Sequence, residues 1–167
     1  FRSVGFFYNW KKKHFSIKAK QERELTIALG KLALRDINEG SSRFRMRESF
    51  IIEQLGDPDH EDSLFDKALE IGWLNHVGFA AESASREKVY AFYHATFEEY
   101  FAARHIVNHE SSQILEIIQL KISDPRWEEP ILLALSFLNE HCPKQARALV
   151  ESLFKDLIKL GSKMCSN

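Results

Sequence analysis

Lys88-Val89-Tyr90-Ala91-Phe92-Tyr93-His94-Ala95-Thr96-Phe97-Glu98-Glu99-Tyr100-Phe101 decides the reading of this chain, because its period changes halfway along. Lys88 to Tyr93 is rich in strand-forming residues. Thr96-Phe97-Glu98-Glu99 then has the form of a capping box, in which the hydroxyl takes the third amide and Glu99 reaches back. A helix is therefore expected from Thr96, with Phe97, Tyr100, Phe101 and either Ile106 or Val107 on its apolar face.

Upstream, Trp73 to Phe79 is a second β-rich run, and the polar connector Ala80 to Glu87 makes the two a hairpin with a long tip. Asp57-Pro58 reads as a helix opening, with Leu64, Phe65, Ala68 and Leu69 facing inward and Gly72 as the stop. A brief helix, Glu48 to Leu55, ends at Gly56. Arg43-Phe44-Arg45-Met46-Arg47 alternates strictly, as a short half-buried strand does. From Glu22 the helical period is continuous through Leu25, Ala28, Leu29, Leu32, Ala33 and Ile37, and Gly40 closes it. Helix, strand, helix, helix, strand, strand, helix across residues 22–108 is the winged-helix order.

Downstream only the helical period remains. Ile114, Leu115, Ile118 and Ile122 form one face. Asp124-Pro125 resembles a cap and first turn, and Trp127 heads the next face. Pro130 denies an amide and pushes Glu129 from helical angles, so a turn at 125–129 and a helix from Pro130 to Asn139 are expected. After Pro143, Ala146, Leu149, Val150, Leu153, Phe154, Leu157 and Ile158 make an amphipathic stripe that Gly161 ends. An antiparallel helix pair is expected, of the kind that starts a helical repeat array. The fold class is thus mainly α with a small β-hairpin. Residues 1–21 read as the end of a preceding helical domain, 22–109 as the winged helix and 110–167 as the helical segment.

Composition narrows the function classes. A hydrophobic content of 44% and a charged content of 28% belong to a globular protein and exclude disordered, collagenous and disulfide-scaffold classes. Cys142 and Cys165 form no metal quartet and no CxxC pair, and fit a reducing compartment. The longest apolar run, Ile131 to Leu135, is far short of a membrane span, and Arg2, Asn9 and Lys11 interrupt any signal segment. A cytoplasmic protein is expected. A chain that starts at Phe1 instead of methionine is expected to be a piece of something longer. Residues 1–52 carry 12 basic and 5 acidic side chains, whereas residues 53–110 carry 4 and 12. That split argues for a contact inside a larger assembly more than for a polyanionic partner.

Few residues point to chemistry. Gly30-Lys31-Leu32 lacks the upstream glycine and the Ser/Thr of a phosphate-binding loop. Glu61-Asp62 and Glu98-Glu99 sit at helix starts, where carboxylates complement the macrodipole. His105 and His109 are spaced for one helix face, with no third metal ligand evident, so no metal is expected. The aromatics Phe1, Phe6, Phe7, Tyr8 and Trp10 before Lys11-Lys12-Lys13-His14 read as a core stripe with a solvated end or as a stacking, phosphate-neutralising surface. His94 lies between a strand end and a helix start, beside unpaired amides. It either spaces the turn or adds an N–H donor to a phosphate settled there.

Tyr90 to Ala103 closely resembles the F-x-H-x-(S/T)-F-Q-E-(F/Y)-x-A-A motif in the winged-helix domain of NACHT-type NTPases of the STAND class. Leu29 to Arg35, Arg43 to Arg47, Glu61 to Leu69, Gly72 to Gly78 and Asp124 to Glu129 look like the bacterial, particularly cyanobacterial, branch. The resemblance covers about residues 6–135. It implies that His94 contacts the β-phosphate of ADP and holds a resting state closed, until ATP exchange frees the domain to rotate and the protein to oligomerise. Glu98 stands where the family commonly has Gln, and a carboxylate beside a phosphate would repel it, so Glu98 is expected to face solvent. Pro130 stands where the family has an apolar residue, which puts that helix's register in question. The phosphate-binding loop and the magnesium-binding acidic strand would lie upstream of Phe1. This chain alone is therefore expected to be no enzyme and to hold no cofactor, with ADP or ATP and Mg bound by the parent protein. The implied partners are the upstream NACHT core, further copies on activation and a protein on the helical segment.

A DNA-binding winged-helix regulator is the main rival, but it needs a basic third helix. Residues 59–71 instead hold Asp59, Glu61, Asp62, Asp66 and Glu70 against Lys67 alone. A ligand-free helical scaffold is the third reading.

Overall fold

A computed structural model describes residues 9–10, 18–39, 44–60, 63–81 and 86–164, with side chains through residue 155. The chain divides into two compact units, Phe1–His105 and Ile106–Asn167. It is mainly helical, with one small three-stranded antiparallel sheet. Among the described residues no helix is long and apolar enough to cross a membrane. The aromatic-basic lead-in other than Asn9 and Trp10, the Gly40 stop, Glu61-Asp62, the centre of the hairpin tip and Cys165 lie outside the described residues.

The first unit opens with α1 (Ala19–Glu39), which buries the whole anticipated stripe of Leu25, Ala28, Leu29, Leu32, Ala33 and Ile37. Strand β1 is only Met46–Arg47, shorter than the arginine alternation predicts. Phe44 takes a positive φ of 67°, which breaks the extended backbone before the alternation can be used. Helix α2 (Glu48–Leu55) has Arg47 at its N-cap with no side-chain bond. The cap comes from elsewhere: Glu87 Oε1 accepts from the Ser49 amide at 3.0 Å and from its hydroxyl. Those bonds hold the Glu87 carboxyl below its usual value, with Arg47 adding to the effect.

Helix α3 (Leu64–Ile71) starts later than Asp57-Pro58 suggests. Asp57 Oδ1 accepts from the Asp59 amide at 2.9 Å and spends that segment in a turn. Ser63 is the true cap, its Oγ accepting from the Asp66 amide at 2.9 Å. Gly72 ends α3 in the left-handed conformation, with its own amide on Leu69 O at 2.9 Å and that of Trp73 on Ala68 O at 2.8 Å. Strands β2 (Leu74–Phe79) and β3 (Lys88–Phe92) form the hairpin, and β1 pairs with β3, giving the order β1-β3-β2. Trp73 packs edge-on against Phe97 at 5.1 Å and Phe101 at 5.2 Å, and so joins the hairpin to α4 (Ala95–Ile106). Burying such rings is the main stabilising contribution here.

Helix α4 also crosses α1 at close quarters. A Cβ on Gly30 would lie 2.8 Å from His105 Cβ and 3.0 Å from the Phe101 carbonyl oxygen, so only glycine lets the backbones approach this far. Further along, Asp36 of α1 faces Glu98 of α4, and one oxygen of each buried carboxyl has no hydrogen-bond partner among the described residues. Gly30 meets His105 while Asp36 meets Glu98, so the helices run past each other in opposite directions. Glu98 is 1% exposed, which corrects the expectation that it faces solvent: its carboxyl is turned onto α1.

In the second unit, α5 (Ser111–Lys121) begins with a capping box formed by Glu110 and Gln113. Ile114 and Ile118 are buried, whereas Ile122 is exposed and leaves the anticipated face. A single 3-10 turn, Pro125–Trp127, precedes α6 (Glu128–His141). Pro130 therefore falls inside the first turn of α6 and does not begin it. A proline is tolerated there because those amides have no intrahelical acceptor. Cys142 alone separates α6 from α7 (Pro143–Met164), and the two pack as a hairpin with α5 also against α7. Helix α7 continues through Gly161, a position that costs roughly 1 kcal/mol against alanine without ending the helix.

Candidate functional site

The β3–α4 junction is built by two backbone bonds and a side-chain cap. The Tyr93 amide donates to Trp73 O at 3.0 Å, which ties the strand end to the start of the hairpin. The Phe97 amide donates to His94 O at 2.9 Å and closes the first turn of α4. The helix therefore begins at Ala95, two residues earlier than a Thr96 cap predicts. His94 takes the cap position itself: its Nδ1 lies 3.2 Å from the Thr96 amide nitrogen and 2.6 Å from Thr96 Oγ1.

That geometry assigns roles to the ring nitrogens. An amide N–H can only donate, so Nδ1 accepts, and in the neutral imidazole the proton sits on Nε2. Nε2 has no hydrogen-bond partner among the described residues, and His94 is exposed beside Tyr93, itself 58% exposed. The junction offers one outward N–H donor at the positive end of a twelve-residue helix. Chemically it can bind an anion.

The strand cations are satisfied within the unit. Lys88 Nζ lies 3.4 Å from Glu48, which also accepts from Tyr90 Oη at 2.9 Å. Burial, and then that bond to Glu48, push the Tyr90 phenol up to about 12. Arg47 is 3.7 Å from Glu87, and Arg35 bonds both Glu39 and Glu53. His105 and His109 do not share a helix face, because α4 ends at Ile106. Among the described residues no group of three or more His, Cys, Asp or Glu is placed to hold a metal ion.

Sequence reasoning missed the Asp36–Glu98 pair. Asp36 is 4% exposed and Glu98 1%. The signal was present: Asp36 follows Leu32 and Ala33 at helical spacing, and so falls on the apolar stripe.

In the second unit, Asp124 accepts from the Arg126 amide at 3.0 Å and from its guanidinium, which holds the Asp124 carboxyl below its usual value. Trp127 is 1% exposed, with Lys121 Nζ 5.3 Å from its ring centre. Leu132 on α6 and Phe154 on α7 are exposed, at 49% and 60%. A groove lined by Leu135, Asn139, Lys144, Arg147, Val150 and Glu151 runs between those helices. No family model matches the sequence, and no curated protein matches it.

Proposed function

We propose that the first unit is the nucleotide-sensing winged-helix arm of a NACHT-type signalling ATPase, followed by the first helices of a superstructural or sensor region. The observation that carries this reading is His94. It caps α4 through Nδ1 and keeps Nε2 for an outside acceptor, as a phosphate-contacting imidazole requires. The element order, with a short first strand paired to the second strand of a hairpin, supports the winged-helix assignment. Glu98, the departure from the family motif, is turned into the α1 contact and puts no exposed charge beside His94. ADP held between His94 and an upstream phosphate-binding loop would favour a closed state. Replacement by ATP would remove the His94 contact and shift the population toward an open, oligomerising one. The exposed Leu132, Val150 and Phe154 suit a helical segment that meets another protein surface.

The DNA-regulator reading fares worse. Asp57, Asp59, Asp66 and Glu70 lie in or before α3, and the strand cations Arg47 and Lys88 already have carboxylate partners. Calorimetry on the 167-residue chain tests the proposal. No ADP binding tighter than the millimolar range is expected, because this chain supplies one donor of a larger pocket. Micromolar binding would place the pocket within this chain, and a salt-sensitive shift of duplex DNA would favour the regulator.

A further inference from the structure

We propose that the outward face of the α6–α7 hairpin is a two-fold interface with a second copy of this chain, in which Arg147 of each copy meets Glu151 of the other. The association needs no nucleotide and stands independently of the His94 reading. The groove on this face has a volume of about 660 Å³, with Leu135 and Asn139 of α6 on one wall and Arg147 and Val150 of α7 on the other. Leu132 and Phe154 extend it with exposed apolar surface. Along α7, Arg147, Val150, Glu151 and Phe154 are spaced i, i+3, i+4 and i+7, which sets them in one stripe.

The charges on that stripe select the occupant. Arg147 and Glu151 are exposed one turn apart, at a spacing where ion pairs form, yet among the described residues neither side chain has a hydrogen bond or an ion pair. An arginine N-terminal to a glutamate at i, i+4 is the less favourable orientation for such a pair, so both groups stay available to an outside partner. An acidic partner would satisfy Arg147 and oppose Glu151, and a basic one would do the reverse. A stripe that carries both signs in sequence is its own complement when two copies lie antiparallel.

The register follows from the same residues. A two-fold axis level with Leu149, midway between Arg147 and Glu151, sets Arg147 opposite the second copy's Glu151 and Glu151 opposite its Arg147 in one operation. That axis also sets Phe154 level with the second copy's Lys144, and an aromatic face suits a cationic side chain. Exposed ion pairs contribute little to affinity, so the two pairs fix the register. Burial of Leu132, Val150 and Phe154 supplies the driving force.

Sedimentation velocity of the whole chain, without nucleotide and across a concentration series, reads the wild type directly. It should show a concentration-dependent species of two chains, and a monomer at every concentration would overturn the proposal. Arg147→Glu and Glu151→Arg fall at exposed positions, where substitutions rarely disturb a fold. Each puts like charges at both pairs and should weaken self-association about tenfold. Mixed in equal amounts, the two variants should associate nearly as well as wild type, because each chain then supplies the sign that the other lacks. Single variants that dimerise like wild type would overturn the proposal. A mixture that associates no better than either variant alone would do the same.

Discussion

Replacing Gly30 by alanine tests the α1–α4 crossing with a single methyl group. The new Cβ would stand 2.8 Å from His105 Cβ, 3.0 Å from the Phe101 carbonyl oxygen and 3.3 Å from His105 Cγ. Carbon atoms in contact prefer about 3.5–4.0 Å, so α4 must move away by roughly 0.7 Å or more at this point. The atoms met are a Cβ and a backbone carbonyl, not the end of a flexible chain, so local adjustment cannot absorb the clash. Overpacking of this kind costs about 1–3 kcal/mol. The substitution also returns roughly 1 kcal/mol of helix propensity, since Gly30 is interior to α1. The net expectation is a loss of up to about 2 kcal/mol, at roughly 4–8 °C of melting temperature per kcal/mol for a unit of this size. Urea unfolding followed by circular dichroism measures it. Gly56→Ala is the control: nothing lies within 4 Å of its Cβ, yet its φ of +83° strains any L side chain. A Gly30→Ala protein more stable than wild type, by the roughly 1 kcal/mol that helix propensity alone would give, would refute the close crossing.

Two further expectations concern caps and core. Glu87→Gln should weaken the first unit by about 1 kcal/mol, the usual value of a helix cap, because α2 has no side-chain cap of its own. Glu87's carboxyl is lowered in the fold by Ser49, so its contribution is present above the unfolded value of about 4.3 and lost as pH falls through the folded one. Unfolding curves of wild type and Glu87→Gln should therefore converge on acidification below that value, and a constant gap down to pH 2 would contradict the assignment. Trp127→Ala should cost the second unit about 3–5 kcal/mol, since the indole is 1% exposed. Proteolysis confined to residues beyond 106 would report it, and an unchanged protease pattern would show that Trp127 is not a core residue.

Much of the architecture was legible because its causes are local. The stripe from Leu25 to Ile37 needs only the helical period, and Gly72 ends α3 because a left-handed residue was required there. Short-range competition blurred the boundaries. Asp57's carboxylate is captured by the Asp59 amide, which delays α3, and the His94 ring takes the cap that Thr96 was expected to supply. What could not be read was what depends on a distant partner. The helical period places Asp36 on the buried stripe but cannot show that α4 brings Glu98 to it, and α2 looks uncapped until the hairpin brings Glu87. At the candidate site, the position of His94 was legible from the strand-to-helix change. Which of its nitrogens faces outward became readable only with the Thr96 bonds in place.

The most direct test of the proposed nucleotide role is ADP retention by the parent ATPase that the proposal implies, purified with and without His94. One hydrogen bond to a charged phosphate is worth about 1.5–3 kcal/mol, so His94→Ala should hold ADP roughly 10- to 100-fold more weakly. His94→Ser, which can still cap the Thr96 amide but cannot reach outward, should behave the same and separates nucleotide contact from helix stability. Both variants should also oligomerise without a trigger. Variants that keep wild-type amounts of ADP through gel filtration and remain as monomeric as the parent would contradict the account.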